Sequence, residues 1–152
     1  MPAKKTIVNR TLARRSAFQI LFEDDMNPGA APLRTREVIE EKFRRHEDLA
    51  EFTKSLVAGV RAHKSEIDSR IQACTVRWTL ARMAATDRNV LRLGTYELIY
   101  TTTPDAVVID QAVELARQFG SRESAGFVNG ILDRIAKEKN TPASEEGEKP
   151  PE

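Results

Sequence analysis

Residues 87–101, DRNVLRLGTYELIYT, decide the fold. Val90, Leu91, Leu93, Leu98 and Ile99 form an apolar stripe too wide for a helix lying on a surface, so this segment reads as a central helix, nearly surrounded by others. Thr86-Asp87 offers its cap and Pro104 closes the connection that follows it. The rest of the chain must supply the surrounding helices.

Helical spacing runs through most of the chain, and no four-residue stretch alternates in the manner of a half-buried strand. Before the central segment, a first helix is expected from about Asn9 to Asp25, with Ala13, Ala17, Ile20 and Leu21 inward and Asn27-Pro28-Gly29 ending it. A shorter helix starts at Thr35, with Val38, Ile39 and Phe43 on its apolar side. Leu49, Phe52, Leu56, Val60, Ile67 and Ile71 keep i, i+3/i+4 spacing from 48 to 74, either as one long helix or as two with a bend near His63 to Ser65. Trp78, Leu80 and Met83 form a connecting turn.

After the central segment, VVIDQAVELARQFG buries Val108, Ala112, Leu115 and Phe119, with Gly120 as a C′ glycine. The last helix is SRESAGFVNGILDRIAK, residues 121–137. Val128, Ile131, Leu132 and Ile135 make its buried stripe. Gly126 and Gly130 lie inside it, each costing roughly 0.5–1 kcal/mol relative to Ala. That cost implies either a closely packed neighbour or a surface read by a ligand. The expected architecture is an all-α, compact bundle of about seven helices with short connections. A basic arm, 1–8, precedes a single domain, 9–138. Residues 139–152 bury too little apolar surface to offset their ordering entropy and read as a disordered acidic tail.

With 152 residues the chain forms a core without staples. The lone Cys74 excludes an internal disulfide and suits a reducing, cytoplasmic setting, since no apolar run reaches the ~20 residues of a membrane span and no secretory signal opens the chain. His46 and His63 stand at no ligand spacing to Cys74, so no metal site is expected. No nucleotide-binding or hydrolase motif is present, no cofactor is implied, and the carboxylate runs read as solvated helix faces, which argues against an enzyme.

The net charge of +1 conceals an asymmetry. Residues 1–22 carry Lys4, Lys5, Arg10, Arg14 and Arg15 and no acidic residue, whereas 140–152 carry Glu145, Glu146, Glu148 and Glu152 against Lys149. Arg10, Arg14, Phe18 and Phe22 follow at i, i+4 steps, a cationic and aromatic strip suited to single-stranded RNA. The same strip also reads as two core phenylalanines with arginines solvating their edge. The absence of carboxylates favours RNA. Tyr96 and Tyr100 read equally as core residues or as part of a protein interface.

The ordered blocks ARRSAFQILF, LVAGV, DRNVLRLGTYELIY, PDAVVIDQAVELARQFG and FVNGILDRIAKE, spanning about Arg10 to Glu138, resemble the NusB family of bacterial transcription antitermination factors. That resemblance implies a non-catalytic, all-helical protein. It would pair with NusE, a small-subunit ribosomal protein, bind boxA-type nascent RNA, and act with RNA polymerase and other Nus factors on ribosomal RNA operons. It implies RNA contacts from Lys4 to Phe22, with Phe119, Arg122, Phe127 and Asn129 beside them, and NusE contacts at Asp87, Leu91, Tyr96 and Glu97. Two features depart from the family pattern. Asp110-Gln111 stands where family members often have Asn-Glu, and Thr11, Leu12 and Ala13 interrupt the arginines, which implies that tight RNA binding needs the partner. Two further readings are an accessory module of an rRNA-modifying system, for which this chain has no cofactor motif, and a homodimer burying the Arg-Phe strip.

Overall fold

The computed structural model describes residues 2–28 and 34–140, with side chains from Arg10 onward. Its helices are α1 (Pro2–Met26), α2 (Thr35–Lys42), α3 (Glu47–Ala73), α4 (Ala85–Tyr100), α5 (Asp105–Phe119) and α6 (Ser124–Lys139), with a 3-10 turn at Leu80–Arg82. Among the described residues there are therefore six α-helices, not seven, and no strand. The stretch read as one helix or two is a single helix, and the segment around Trp78 is the expected connection, with one 3-10 turn. The acidic tail and the loop after Pro28 fall outside the described residues, apart from Lys139 and Asn140.

Residues of α4 are buried on every side, from Asn89 through Thr95 and again at Glu97 and Leu98, and the helix touches α1, α3, α5 and α6. It is the axis of the bundle. It starts one residue before the expected cap: Ala84 holds the N-cap position without a side-chain bond, and Asp87 lies in the first turn, where its charge suits the helix dipole. Around this axis, Ala13 and Ala17 present no bulk and are fully buried, letting α1 come close. Helix α1 begins at Pro2 rather than near Asn9, with proline at the first helical position, where its missing N–H costs nothing.

The choice left open for 48–74 resolves as one helix with a break. His63 adopts φ −111°, ψ 17° inside α3, and its ring stacks 4.0 Å from that of Tyr100, which in turn lies 5.5 Å from Tyr96. Ile39 and Phe43 seat α2 on α3, whereas Val38 points to solvent. Cys74 is a buried small hydrophobe at the end of α3, and burial pushes its thiol pKa up.

Close helix approach occurs at glycines other than the expected pair. A Cβ on Gly59 would run into the ring of Tyr96, and one on Gly94 would lie 2.7 Å from Leu132 Cδ1, so these two positions set the α3–α4 and α4–α6 spacings. At Gly126 and Gly130 an added Cβ meets nothing within 4 Å. The close-neighbour explanation for that pair is therefore wrong: both glycines lie on the open side of α6. Gly120 is also not a left-handed cap. Its backbone is extended (φ −97°, ψ −168°), and glycine is required because a Cβ there would run into Ser124 and the Ala116 carbonyl.

These contacts predict opposite outcomes for the same substitution. Gly126→Ala and Gly130→Ala should each raise the unfolding free energy by about 0.5–1 kcal/mol in urea titrations, through helix propensity alone. Gly59→Ala should lower it, because the Tyr96 ring must leave its stack.

Candidate nucleic-acid interface

Helix α1 is held in register by a buried ion pair. Arg14 Nε donates to Glu97 Oε1 (2.8 Å) and Nη2 to Oε2 (2.9 Å), and both side chains are almost wholly inaccessible. Phe52 lies under the guanidinium groups of Arg10 and Arg14, 4.3 and 5.2 Å from its ring centre. Arg14 is thereby removed from the phosphate-binding set expected from the sequence, since its fork is already occupied by a carboxylate. Glu97 is likewise removed from the expected partner surface. Leu91 has no exposed area and belongs to the core. Tyr96 is half-buried over Gly59, and nine helical residues place it about half a turn round α4 from Asp87, so the two cannot share one patch.

The register of α1 sets an aromatic cleft. Phe18 is buried, with its ring 6.1 Å from Phe22 and 5.1 Å from Phe119 at the end of α5. Phe22 and Phe119 remain half-exposed, and with Gln19 and Thr86 they border a cleft of about 300 Å³. Phe18 is thus core, as the blander sequence reading had it, while the other two rings keep accessible faces. About two turns earlier on α1, Thr11 Oγ1 donates to Gln111 Oε1 (2.8 Å), joining α1 to α5. Both departures from the family pattern meet in this one contact. Arg15 is half-buried, its Nε enclosed and without a hydrogen-bond partner among the described residues.

A second cleft, about 230 Å³, opens where α4 and α6 begin. Trp78, Arg82, Met83, Ala84, Asp87, Glu123 and Phe127 line it. Phe127 is half-buried against the core, Arg122 and Asn129 are exposed, and one Asp87 carboxylate oxygen is enclosed without a hydrogen-bond partner. Sequence reasoning had placed Trp78 in a connecting turn and overlooked Val76. Here Trp78 is half-exposed and Val76 is 94% exposed, a strongly apolar edge beside the cleft. The available signal was a Val and a Trp in a segment with no helical period to bury them. Lys4 and Lys5 lie in the first turns of α1, and their side chains are outside the described residues.

The floor of this region is fixed by charge. Arg88 donates to Asp25 Oδ2 (2.8 Å) and to the carbonyls of Leu80 (2.8 Å) and Met83 (2.9 Å), tying the 3-10 turn to α1. Asn89 also donates to Asp25 Oδ2 (2.8 Å), and Arg92 pairs with Asp68 of α3. Burial by itself would raise the Asp25 carboxyl. The hydrogen bonds from Asn89 and Arg88, with the Arg88 and Arg92 charges, outweigh it and hold the group below its ordinary value of 3.8. Among the described residues, no three His, Cys, Asp or Glu gather as metal ligands, and no helix is long and apolar enough to cross a membrane.

The result is a six-helix bundle around a buried axial helix, with an aromatic cleft beside the arginine-bearing first helix. The sequence profile of the NusB family matches residues 11–137, and the chain belongs to that family. The transcription antitermination protein NusB of Streptomyces avermitilis is 44% identical over 144 residues, covering 90% of this chain and 97% of its own. Among solved structures, T. maritima NusB superimposes with a TM-score of 0.78 at 35% identity, covering 90% of this chain and 96% of that one. A crystal structure of the antitermination factors NusB and NusE in complex with double-stranded RNA has a chain that superimposes at 0.76 with 33% identity, covering 86% and 97%.

The buried pair and the Asp25 cluster have distinct signatures. Glu97→Ala should cost about 3–5 kcal/mol by leaving Arg14 buried and uncompensated, whereas Arg14→Met combined with Glu97→Leu should recover most of that loss in chemical denaturation. Asp25→Asn should be less stable than the parent above about pH 4. Because the folded-state pKa of Asp25 is depressed, its contribution is complete above the unfolded value and vanishes as pH falls through the folded one, so the two stabilities converge in acid.

Proposed function

We propose that this protein is an RNA-binding adaptor in transcription antitermination. With a NusE-like ribosomal protein it holds boxA-type nascent RNA and, through RNA polymerase and other Nus factors, acts on ribosomal RNA operons. The observation that carries this reading is the pair of clefts meeting at the start of α4, one aromatic and one apolar with an unpartnered carboxylate oxygen.

The clefts divide the work. In the first, bases stack on the accessible faces of Phe22 and Phe119, the Gln19 amide meets base edges, and Arg10, Arg15 and Arg122, with Lys4 and Lys5, meet phosphates. Asn129 extends that surface onto α6, where the open glycines at 126 and 130 let a sugar-phosphate backbone approach the helix closely, and Phe127, on the wall of the second cleft, meets RNA at the border between the two. In the second, the exposed edge of Val76 and Trp78 takes apolar side chains of the NusE-like protein. The partner and the RNA thus lie on adjoining surfaces, and each extends the other's binding site. That a related NusB was solved together with NusE and double-stranded RNA supports a role with both kinds of partner.

The test is fluorescence anisotropy with a labelled boxA-type RNA at several salt concentrations, with and without the NusE-like protein. Affinity should rise sharply with the partner and fall with salt. An RNA affinity indifferent to the partner would refute the adaptor reading. Phe127→Ala should weaken RNA binding about tenfold through lost stacking and leave the fold intact. Ile131→Ala, in the core, should cost about 2–5 kcal/mol of stability.

A further inference from the structure

Between α3 and the 3-10 turn the chain reverses with little backbone bonding of its own. Among the described residues, no N–H of Val76 to Thr79 donates to a backbone carbonyl, and Val76 and Trp78 stand 94% and 50% exposed. Apolar side chains so placed gain by leaving water. The refuge at hand is the second cleft, which Trp78 lines together with Met83 and Phe127. An untethered segment would settle the Trp78 ring on those two side chains and close the cleft.

One side chain opposes this. Gln72 lies exposed in the last turn of α3, and its amide spans the reversal. Nε2 donates to the Trp78 carbonyl (3.0 Å) and, at 3.5 Å, to that of Thr75, while Oε1 accepts from the Leu80 N–H (3.0 Å). The peptide groups on both sides of Thr79 are thereby fixed to α3. An exposed amide has no need of these bonds for its own sake, since water serves its donor and acceptor as well. Their effect falls on the segment. Arg88 holds the other end of the turn through the Leu80 and Met83 carbonyls, but it also meets Asp25 and so serves α1. Among the described residues, the Gln72 side chain bonds only to this segment.

We infer that Gln72 is a positioning residue for the partner-binding edge: its amide keeps the Trp78 ring off Met83 and Phe127, so that the second cleft stays open for an apolar side chain of the NusE-like protein. The docking half rests on the adaptor reading above, whereas the hold on Trp78 does not.

Trp78 is the only tryptophan of the chain, so its fluorescence reads that hold directly. The full chain is compared with two variants, Q72M, which keeps the length of the side chain without its hydrogen bonds, and Q72E. Q72M should shift the Trp78 emission to the blue, shield it from acrylamide and leave the urea midpoint in place. It should weaken binding of a tryptophan-free NusE-like protein about fivefold, as if the open edge were populated about a fifth of the time. Q72E should match Q72M at neutral pH, because a carboxylate accepts from the Leu80 N–H but repels the two carbonyls. As pH falls to about 4–5, the ordinary range of a glutamate side chain, the protonated group regains a donor and the emission should return to that of the parent at the same pH. Unchanged or red-shifted emission in Q72M would overturn the inference, as would partner affinity equal to that of a parent that binds. A loss of partner binding that tracks a lowered urea midpoint would assign Gln72 to the stability of the fold and overturn it as well. Blue-shifted emission beside a parent that binds no NusE-like protein would leave the hold on Trp78 standing and refute the adaptor reading instead.

Discussion

The ion pair between Arg14 and Glu97 is the constraint on which the functional surface depends. Two charges removed from water must stay together, because an uncompensated buried charge costs several kcal/mol. A slide of α1 by a single residue would turn Arg14 about 100° away from Glu97, so α1 has one acceptable register on α4. That register brings Phe18 against Phe119, sets Phe22 beside it, and stacks Arg10 and Arg14 over Phe52. The aromatic cleft is a consequence of a charge pair nearly a full turn away.

At the other end of α1 the same logic operates with more partners. Asp25 gathers Arg88 and Asn89 of α4, and Arg88 also holds the carbonyls of the turn at residues 80–83. The apolar edge at Val76 and Trp78 is carried by this segment, which has little regular structure of its own. Its position is defined by Arg88 of the axial helix and, nearer Trp78, by Gln72 of α3, whose amide donates to the Trp78 carbonyl and accepts from the Leu80 N–H. A loop that keeps apolar side chains in water and is nonetheless anchored suits a docking surface better than a packing one.

The glycines show how spacing along a sequence can mislead. Gly126 and Gly130, four apart in a helix, suggest a close helix crossing, yet both are open. Gly59 and Gly94 lie alone in their helices, without a partner at matching spacing, and they are the ones covered by a tyrosine and a leucine. Which glycine is crowded depends on what the facing helix carries at the point of crossing. That information is not local.

By itself the sequence determined the helical class, the axial position of residues 87–100, the buried stripe of the last helix, and, through ordered motifs, the NusB family. These follow from periodicity and residue order, which are properties of short stretches. Phe22 stood out in the Arg-Phe strip, and Phe127 and Asn129 lie off the buried stripe of the last helix, whereas Arg122 and Phe119 were singled out only by the family resemblance, and Phe119, read as buried, is half-exposed. Only the tertiary structure separated Arg14 from Arg10, since both occupy the same kind of position on α1 and differ only in whether a glutamate 83 residues away comes within 3 Å. It also buried Glu97, took Leu91 off the expected partner surface, joined Thr11 to Gln111, and exposed Trp78. Each of these outcomes turns on a contact between segments distant in the chain, and no local pattern encodes which polar group will find a buried partner.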